Sequence, residues 1–482
     1  MSMRNVGAIE KSADFIDYLK STGATLPFDE EVKSGPDAPL AKPYVLNSKV
    51  IGNRFAILPM EGWDNTNDGK PTDLTKRRWQ RWGLSGAKLI FGGEAMAVCQ
   101  DGKGSPNQLM MLKQNLGEIT ELRELLVRTH EEHFSTADDL LVGTQLIHSG
   151  RLSHPHDMRR SEPRILYHHP ILDERYDVKS DKALMTDDDI DRLIEDFVKA
   201  ARLSQQAGFD FVDIKHCHGY LGHEFLSAVD RPGRYGGSFE NRTRFLREIV
   251  AGIRSEVPGL DIAVRLSAVD FVPFQQGADD RTEPATFSGE RYPYAFGGDG
   301  TGLGIDLTEP LAFLDMLTKL GIKLVCISAG ADYNSHVMGP YFSVPVAPHY
   351  PPEDPLVGVA RLISLVTELK KNRPELAYVG SGYSYLQQWL PNVAQSVINN
   401  SLTDFVGIGR MSICYPDIVA DILAGRTLKR KRICRTCGYC DTAPGYGMVS
   451  GCYTLDEFYH NRPEYQQLKK LLKENRRHCR KI

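Results

Sequence analysis

Short apolar runs alternate with helical patterns along most of this chain. The runs are rich in β-branched and aromatic residues, and each ends in glycine or a polar residue. Continuous apolar runs of this kind predict strands that are buried on both faces, as the strands of a parallel sheet are. The eight predicted strands are Phe55–Leu58, Lys88–Phe91, Leu141–Ile147, Phe211–Lys215, Ile262–Ser267, Leu324–Ser328, Ala377–Gly380 and Phe405–Ile408.

Helical periodicity follows most of the predicted strands. Apolar residues recur at helical spacing over Asp187–Ala207 and again over Phe239–Val257. Eight strands that alternate with helices over about 370 residues are typical of a barrel and not of a β-sandwich. The sequence therefore predicts an α/β fold, a (β/α)8 TIM barrel.

Segments outside the barrel pattern predict additions to it. We assign residues 1–40 to an N-terminal leader with one amphipathic helix, 41–425 to the barrel, and 426–482 to a C-terminal extension that bears cysteines. Two insertions, Phe271–Asp306 and Ala329–Pro355, follow the fifth and sixth strands. Long loops on the catalytic side of a barrel are usually lids or binding loops, and surface decoration is the alternative.

Composition excludes several classes of function. The chain has 482 residues, 41% of them hydrophobic and 25% charged, which is average for globular proteins. A net charge of -4 gives no reason to expect nucleic acid or an anionic membrane as a partner. The sequence contains no apolar run long enough to span a bilayer, and its start resembles an amphipathic helix more than a signal peptide. We therefore expect a cytoplasmic protein without a membrane anchor.

Residues with catalytic chemistry follow the fourth predicted strand. The sequence reads KHCHGY over residues 215–220 and YGGSFENRTRF over residues 235–245. Barrel enzymes keep their chemistry at the C-terminal ends of the strands, so the Lys, His and Tyr of the first motif are candidate proton donors. The two motifs together resemble the old yellow enzyme family of FMN-dependent oxidoreductases. The resemblance extends from about residue 45 to about residue 425.

Other strand ends match the needs of a flavin site. Such a site needs donors at the pyrimidine edge, a positive charge beside N1 and O2, and backbone amides for the phosphate. The resemblance implies that Gln145, in the segment QLIHSGR, contacts the pyrimidine edge and that Arg265 favours the reduced flavin. A structural ion pair is the alternative for an Arg inside an apolar strand. The other residues that the resemblance assigns to FMN are Pro59, Met60, Gly380, Ser381, Gly382, Gly409 and Arg410.

The resemblance also implies roles at the substrate. In the family, two donors three residues apart hold the substrate oxygen, and a Tyr two residues further delivers a proton; the matching residues are Lys215, His218 and Tyr220. Lys215 replaces the usual His, and its charge would suit an anionic substrate group. Glu61 stands where Thr or Cys is usual, so it tunes the flavin differently or points away. Strand alternation directs His216 away from Lys215. Polar residues that merely close the barrel mouth are the alternative.

Cysteines cluster in the C-terminal extension. The spacing C-x2-C-x2-C is followed by a fourth cysteine after eleven more residues, and thiolates so spaced can bind an Fe–S cluster or zinc, or remain unliganded. The segment resembles the 4Fe-4S segment of the longer family branch, the trimethylamine dehydrogenases and dienoyl-CoA reductases. The candidate ligands are Cys434, Cys437, Cys440 and Cys452. Reduced core thiols are predicted at Cys99, Cys217, Cys326 and Cys414.

These features together predict an FMN-dependent oxidoreductase. It would use NAD(P)H to reduce an activated C=C bond in an enone or enoate, by hydride transfer from flavin N5 with Tyr220 as proton donor. The first alternative is an amine or demethylating dehydrogenase that passes electrons through the cluster to a separate carrier. The second alternative is a flavin-free barrel lyase or binding protein. The expected partner is a small-molecule substrate, and an electron-transfer protein and a homo-oligomer remain open.

Overall fold

A closed barrel of parallel strands lies at the centre of the structure. The computed structural model describes residues 3–277, 282–339 and 351–479. Its strands are β1 Tyr44–Leu46, β2 Lys49–Ile51, β3 Phe55–Ile57, β4 Leu89–Ile90, β5 Ala95–Ala97, β6 Leu141–Ile147, β7 Phe211–Ile214, β8 Asp261–Ser267, β9 Phe274–Gln276, β10 Thr282–Pro284, β11 Leu324–Ser328, β12 Ala377–Gly380 and β13 Phe405–Ile408.

The barrel closes through parallel pairing alone. Strands β3, β4, β6, β7, β8, β11, β12 and β13 pair in this order, and β13 returns to β3. The short strand β5 pairs with β6 beyond the end of β4. Every residue of β3, β4, β6, β7, β11, β12 and β13 is buried, as expected for strands that are covered on both faces.

The predicted TIM barrel is confirmed. The predicted bounds of β6, β11, β12 and β13 agree with the structure residue for residue, and the other four barrel strands differ by one residue at one or both ends. The α-helices are α1 Ser12–Thr22, α2 Asp73–Gly83, α3 Leu116–Phe134, α4 Leu172–Arg175, α5 Asp187–Gln206, α6 Leu221–Leu226, α7 Phe239–Arg242, α8 Arg244–Glu256, α9 Thr308–Lys319, α10 Ser335–Met338, α11 Pro355–Asn372, α12 Leu390–Asn399, α13 Arg410–Cys414, α14 Ile418–Leu423, α15 Tyr439–Gly445, α16 Glu457–His460 and α17 Pro463–Cys479.

The second family motif, YGGSFENRTRF, has a structural role. The helix predicted over Phe239–Val257 is divided at Thr243 into α7 and α8. The Tyr235 hydroxyl oxygen lies 2.5 Å from a carboxylate oxygen of α5 and 2.6 Å from one of α8, and its single proton can be donated to either. Arg242 pairs with Glu309 at the start of α9. The motif therefore joins three barrel helices.

The leader and the extension both pack on the barrel. In α1 of the leader, the Phe15 ring stacks on Trp389 with ring centroids 5.3 Å apart. In the extension, Asp456 accepts a hydrogen bond from Arg77 of α2 at 2.9 Å, and the ring of Phe458 lies against the same guanidinium. The proposed boundaries after residues 40 and 425 stay predictions. Within the described ranges, none of the helices is both long and apolar enough to cross a membrane.

The two insertions are partly described. The first begins with the antiparallel pair β9–β10 and packs Val272, Ala285 and Tyr292 into a small apolar cluster of its own. The second begins with a short turn of helix and α10. Residues 278–281 and 340–350, which belong to the predicted lid or binding loops, lie outside the described residues.

Candidate active site

A buried carboxylate joins two of the residues predicted to hold the flavin. The Gln145 side-chain amide donates to Asp213 Oδ2 at 2.6 Å, and the backbone N–H of Arg265 donates to Asp213 Oδ1 at 2.7 Å. Burial raises the pKa of Asp213 to about 7, although contacts with Gln145 and Arg265 oppose this shift. Sequence reasoning missed Asp213. Its signal was one carboxylate in the otherwise apolar strand β7.

The Arg265 guanidinium has unused hydrogen-bonding capacity. One terminal nitrogen donates to the Pro59 carbonyl at 3.4 Å, whereas the buried Nε has no hydrogen-bond partner among the described residues. A bound molecule beside Arg265 can supply the acceptor that this nitrogen lacks. An anionic flavin pyrimidine would supply one, and the site therefore fits FMN.

Glycine turns after β12 and β13 complete the predicted cofactor site. Gly382 has φ of +92°, a conformation that favours glycine and lets the backbone turn tightly after the strand. A Cβ built on Gly409 would lie 3.9 Å from the Met60 sulfur, so the ends of β13 and β3 are adjacent. The Ser381 hydroxyl donates to the Ile327 carbonyl at 2.8 Å. Ser381 would therefore offer a phosphate its backbone amide.

The two residues that depart from the family pattern contact each other at the barrel mouth. Lys215 Nζ lies 2.7 Å from Glu61 Oε1, and it also lies 3.3 Å from the centre of the Tyr220 ring. Burial, then the Glu61 charge, then a hydrogen bond to Glu61 raise the pKa of Tyr220 well above its usual value. Glu61 thus points into the site. Its charge balances that of Lys215, which removes the reason for expecting an anionic substrate group.

The two histidines of the first motif face different environments. His218 Nε2 lies 2.8 Å from Ser328 Oγ at the end of β11, and His218 itself is half-buried. Burial and the positive charges on Arg265 and Lys215 hold the pKa of His218 well below its usual value, so the ring is neutral. His216 packs between the rings of Phe245 and Phe313 on the outside of the barrel, as strand alternation predicts.

A buried ionic network holds the loop that carries Glu61. The N–H of Gly62 donates to Glu94 Oε1 at 3.2 Å, and Arg78 of α2 donates to the same carboxylate at 3.0 Å. Trp63 adopts φ of +50° and donates its indole N–H to Glu61 Oε2 at 2.8 Å. Both carboxylate oxygens of Glu61 are therefore held. Sequence reasoning found none of these supporting contacts, and those of Glu94 join residues from different segments of the chain.

The four predicted metal ligands line one small enclosed cavity. Cys434, Cys437, Cys440 and Cys452 share it with Arg410, the predicted phosphate residue after β13. No three sulfurs of this set, which the structure describes in full, lie within 4.8 Å of one another. With bonds of about 2.3 Å, the sulfurs of a tetrahedral zinc site would lie about 3.8 Å apart. The spacing therefore suits a larger group better than one zinc ion.

A fifth cysteine, Cys414, lies beside this cavity. Sequence analysis treats it as a core thiol, and it is buried at the end of α13. A hydrogen bond from Cys414 is the largest cause of the lowered pKa of Cys452, which falls to about 6, and of the lowered pKa of Cys434. The Thr436 backbone N–H also donates to the Cys434 sulfur at 3.4 Å. Two of the four sulfurs are therefore predisposed to the thiolate form that metals bind.

Comparison with known proteins identifies the family. The sequence pattern of the NADH:flavin oxidoreductase / NADH oxidase family matches residues 39–289. The chain belongs to this family. Its members are FMN-dependent oxidoreductases, and the predicted relation to the old yellow enzymes is confirmed. An NADPH dehydrogenase of Geobacillus sp. (strain WCH70) is 34% identical over 239 residues, which cover 48% of this chain and 64% of that protein.

Solved structures agree with the family in fold. The old yellow enzyme homologue from Zymomonas mobilis has a TM-score of 0.53 and 20% identity, over 81% of this chain and 94% of its own. Histamine dehydrogenase from Rhizobium sp. 4-9 has a TM-score of 0.59 and 22% identity, over 86% of this chain and 52% of its own. The chain thus spans less than two thirds of the Geobacillus protein and about half of the histamine dehydrogenase.

Proposed function

We propose that the protein uses NAD(P)H and FMN to reduce an activated C=C bond, in an enone or enoate. One observation carries this proposal: the side chains of Lys215, His218 and Tyr220 lie together at the barrel mouth, close to the buried Arg265. Lys215 and His218 can donate hydrogen bonds to a carbonyl oxygen and so polarise the carbonyl. Tyr220 can protonate the α-carbon. Family membership adds the flavin and removes the support for a flavin-free lyase or binding protein.

The cofactor would lie across the strand ends. Arg265 and Gln145 would contact the pyrimidine edge, Pro59 and Met60 would face the ring, and the glycine turns with Ser381 and Arg410 would hold the phosphate. FMN, when bound, supplies two-electron hydride chemistry between NAD(P)H and the substrate. The buried Arg265 charge would favour the reduced, anionic form of the flavin.

The substrate would be held and protonated by the first motif. The Lys215 ammonium has three donors and Glu61 accepts one, so others can reach a substrate oxygen. The neutral ring of His218 can donate to the same oxygen from its own side. The developing negative charge on that oxygen is thereby stabilised. The Tyr220 O–H bond then breaks as the α-carbon C–H bond forms.

Two measurements test this function. Mass spectrometry of the released cofactor is expected to give FMN, and FAD would contradict the cofactor assignment. Purified protein supplied with NADPH or NADH should convert 2-cyclohexenone into cyclohexanone, one product per NAD(P)H consumed. Flavin-loaded protein that oxidises NAD(P)H only with oxygen, and leaves a panel of enones and enoates unchanged, would refute the proposed substrate class.

A second candidate function is supported by the cysteine cavity. We propose that the four cysteines bind a 4Fe-4S cluster, because their wide spacing suits a group with one metal per sulfur. A cluster beside Arg410 would lie near the flavin phosphate and could take electrons toward a separate carrier. An amine or demethylating dehydrogenase, with an electron-transfer protein as partner, would use the site in this way.

Anaerobic purification distinguishes the two functions and tests the cluster. About four iron and four sulfide per chain, both lost together in Cys437→Ser, are expected for a 4Fe-4S cluster. One zinc per chain, or no metal in protein assembled with iron and sulfide, would refute it. Anaerobic bleaching of the flavin by an amine and not by NAD(P)H would favour the dehydrogenase. The cytoplasmic location and any homo-oligomer stay predictions from the sequence.

A further inference from the structure

His218 has an unusual backbone conformation that its neighbours hold in place. Its φ is +67°, in the left-handed region that favours glycine. Its backbone N–H donates to Ser267 Oγ at 3.0 Å, and its carbonyl accepts from the Asp332 N–H at 3.1 Å. Such conformations persist only where the surrounding structure fixes them, and they are concentrated at functional sites. The position of the His218 ring is therefore set by neighbouring strand ends.

The His218 ring has one hydrogen-bond partner among the described residues, the hydroxyl of Ser328. Ser328 ends β11 and is paired in register with Ser267, which ends β8. Ser328 Oγ lies 2.8 Å from His218 Nε2, and Ser328 is completely buried. The other ring nitrogen, Nδ1, makes no hydrogen bond in the described part of the chain. Unlike the unpaired Nε2 of His223, it is not shut off from solvent, so it can meet a substrate.

The tautomer of His218 follows from the partners of Ser328. Burial and the charges of Arg265 and Lys215 hold the pKa of His218 well below its usual value, so the neutral ring has a single N–H. If Nε2 carried that proton, it would donate to Ser328, and the buried hydroxyl proton would have no acceptor among the described residues. With the proton on Nδ1, the hydroxyl donates to the Nε2 lone pair. Buried polar groups are nearly always paired, so the second arrangement is favoured.

We propose that Ser328 selects the His218 tautomer with its proton on Nδ1, and that this N–H is the donor to the substrate oxygen. The inference rests on the proposed reduction and deepens it. The opposite tautomer would present a lone pair to that oxygen and would repel the negative charge that develops there. Ser328 acts through His218, so it is a positioning residue.

A first experiment determines the tautomer without any turnover. The FMN-loaded protein is labelled with histidine that carries a nitrogen isotope visible to NMR, and the His218 resonances are identified by their loss in His218→Asn. The chemical shifts of protonated and unprotonated ring nitrogens differ widely, so they show which nitrogen carries the proton. The wild-type protein should have the proton on Nδ1, and Ser328→Ala should shift the population toward the opposite tautomer. A proton on Nε2 in the wild-type protein, or the same tautomer in Ser328→Ala, would overturn the proposal.

A second experiment measures the effect on the reaction. Reduced FMN-loaded protein is mixed anaerobically with 2-cyclohexenone at several concentrations, and flavin reoxidation is timed. Ser328→Ala should slow the rate at saturating enone about tenfold, less than the roughly 10²–10³-fold cost of losing a whole oxyanion donor. The enone concentration at half-saturation should change less than about threefold, because the donor acts mainly on charge that develops during the reaction. An unchanged saturating rate would contradict the proposal.

A double-mutant cycle separates the tautomer from packing. His218→Asn places fixed amide donors at this position, so the donor no longer depends on which ring nitrogen is protonated. Ser328→Ala added to His218→Asn should therefore change the saturating rate less than about twofold. The full loss of rate in that background would show that Ser328 acts through packing, and it would overturn the proposal.

Two variants control for the loss of a buried hydroxyl. Ser328→Thr keeps the hydroxyl, so it should keep the proton on Nδ1 and restore most of the rate. Ser204→Ala removes another buried hydroxyl, which donates to the Ala200 carbonyl at 2.8 Å in α5, and it should change neither. A shifted tautomer in Ser204→Ala would contradict the assignment to Ser328.

The two experiments fail in different ways. A wild-type flavin that no enone reoxidises would refute the proposed reduction, and the NMR spectra would then still decide whether Ser328 sets the His218 tautomer. The wild-type spectrum is decisive even if Ser328→Ala does not fold, because a proton on Nε2 there contradicts the proposal.

Discussion

Asp213 and Glu61 are two carboxylates at the same barrel mouth, held in different ways. Asp213 is fully buried in β7 and accepts from a side-chain amide and a backbone N–H. Glu61 is partly exposed and accepts from an ammonium and an indole. A buried carboxylate with neutral donors is suited to fixing its neighbours in place. A carboxylate that pairs with a cation is suited to setting the charge beside the substrate.

The comparison separates the cofactor side of the site, where the residues follow the family pattern, from the substrate side, where two residues depart from it. Asp213 connects Gln145 and Arg265, which follow the family pattern. Glu61 contacts Lys215, and both of these residues depart from that pattern. Because the two departures contact each other, each compensates for the other. A single replacement by the usual family residue would leave its partner without a counter-charge.

Tyr220→Phe should give the largest effect. It should slow only the half-reaction with the enone, which takes place on the substrate side of the site. A proton donor contributes about 10²–10⁴-fold to a rate, so flavin reoxidation by an enone should slow by that factor. Reduction of the flavin by NAD(P)H should stay within about threefold, because Phe keeps the ring beside Lys215. Stopped-flow measurement of the two half-reactions checks this. Equal losses in both would indicate that Tyr220 is structural.

Arg265→Met should weaken the binding of FMN, on the side of the site where Asp213 lies. A charge-assisted hydrogen bond is worth about 1.5–3 kcal/mol, so FMN should bind about ten- to a hundredfold more weakly. Titration of FMN-free protein with FMN, followed by flavin fluorescence, measures the change. Arg175→Met is a matched control, because this exposed guanidinium donates only to backbone carbonyls in the described part of the chain and should leave FMN affinity unchanged. Equal affinity in Arg265→Met would remove Arg265 from the flavin site.

Asp213→Asn should change how stability depends on pH. The pKa of Asp213 is raised to about 7 in the folded protein, above its ordinary value of 3.8. The folded state therefore binds the extra proton, and this residue makes stability fall as pH rises from about 4 to about 7. Asp213→Asn removes that fall. Urea unfolding at several pH values with saturating FMN measures it, and the same slope in both proteins would contradict the assignment.

Trp63→Phe should give the smallest effect. It removes one neutral hydrogen bond to Glu61, worth about 0.5–1.5 kcal/mol, while the aromatic ring stays. Enone reoxidation should slow by about two- to tenfold, because the pair of Glu61 and Lys215 beside Tyr220 loses one of the contacts that position it. An unchanged rate would show that the indole contact does not position Glu61.

The sequence predicted the barrel well because burial of a strand is directly visible in its pattern of apolar residues. Strands covered on both faces are continuous apolar runs, so β6 and β11 were found residue for residue. Helix bounds were less certain: the break at Thr243, inside an unbroken helical pattern, depends on the tertiary contacts of Arg242. The leader helix was expected near the start and lies at Ser12–Thr22.

The sequence names candidate site residues where one strand end carries one role. Gln145, Arg265 and the first motif are candidates of this kind, and their roles stay predictions. Asp213 and Cys414 could not be named in this way, because each looks like part of a core until its neighbours from other parts of the chain are known. The contact between Glu61 and Lys215 joins residues 154 positions apart, so the pattern along the chain holds no record of it.

One anaerobic titration tests the central claim most directly. Purified protein with its flavin is reduced by one equivalent of NADPH or NADH, and absorbance near 450 nm is followed as 2-cyclohexenone is added. The account predicts bleaching by the nicotinamide and full return of the absorbance with one equivalent of enone, slowed about 10²–10⁴-fold in Tyr220→Phe. A flavin that NAD(P)H bleaches and no enone restores, or one that an amine alone bleaches, would contradict it.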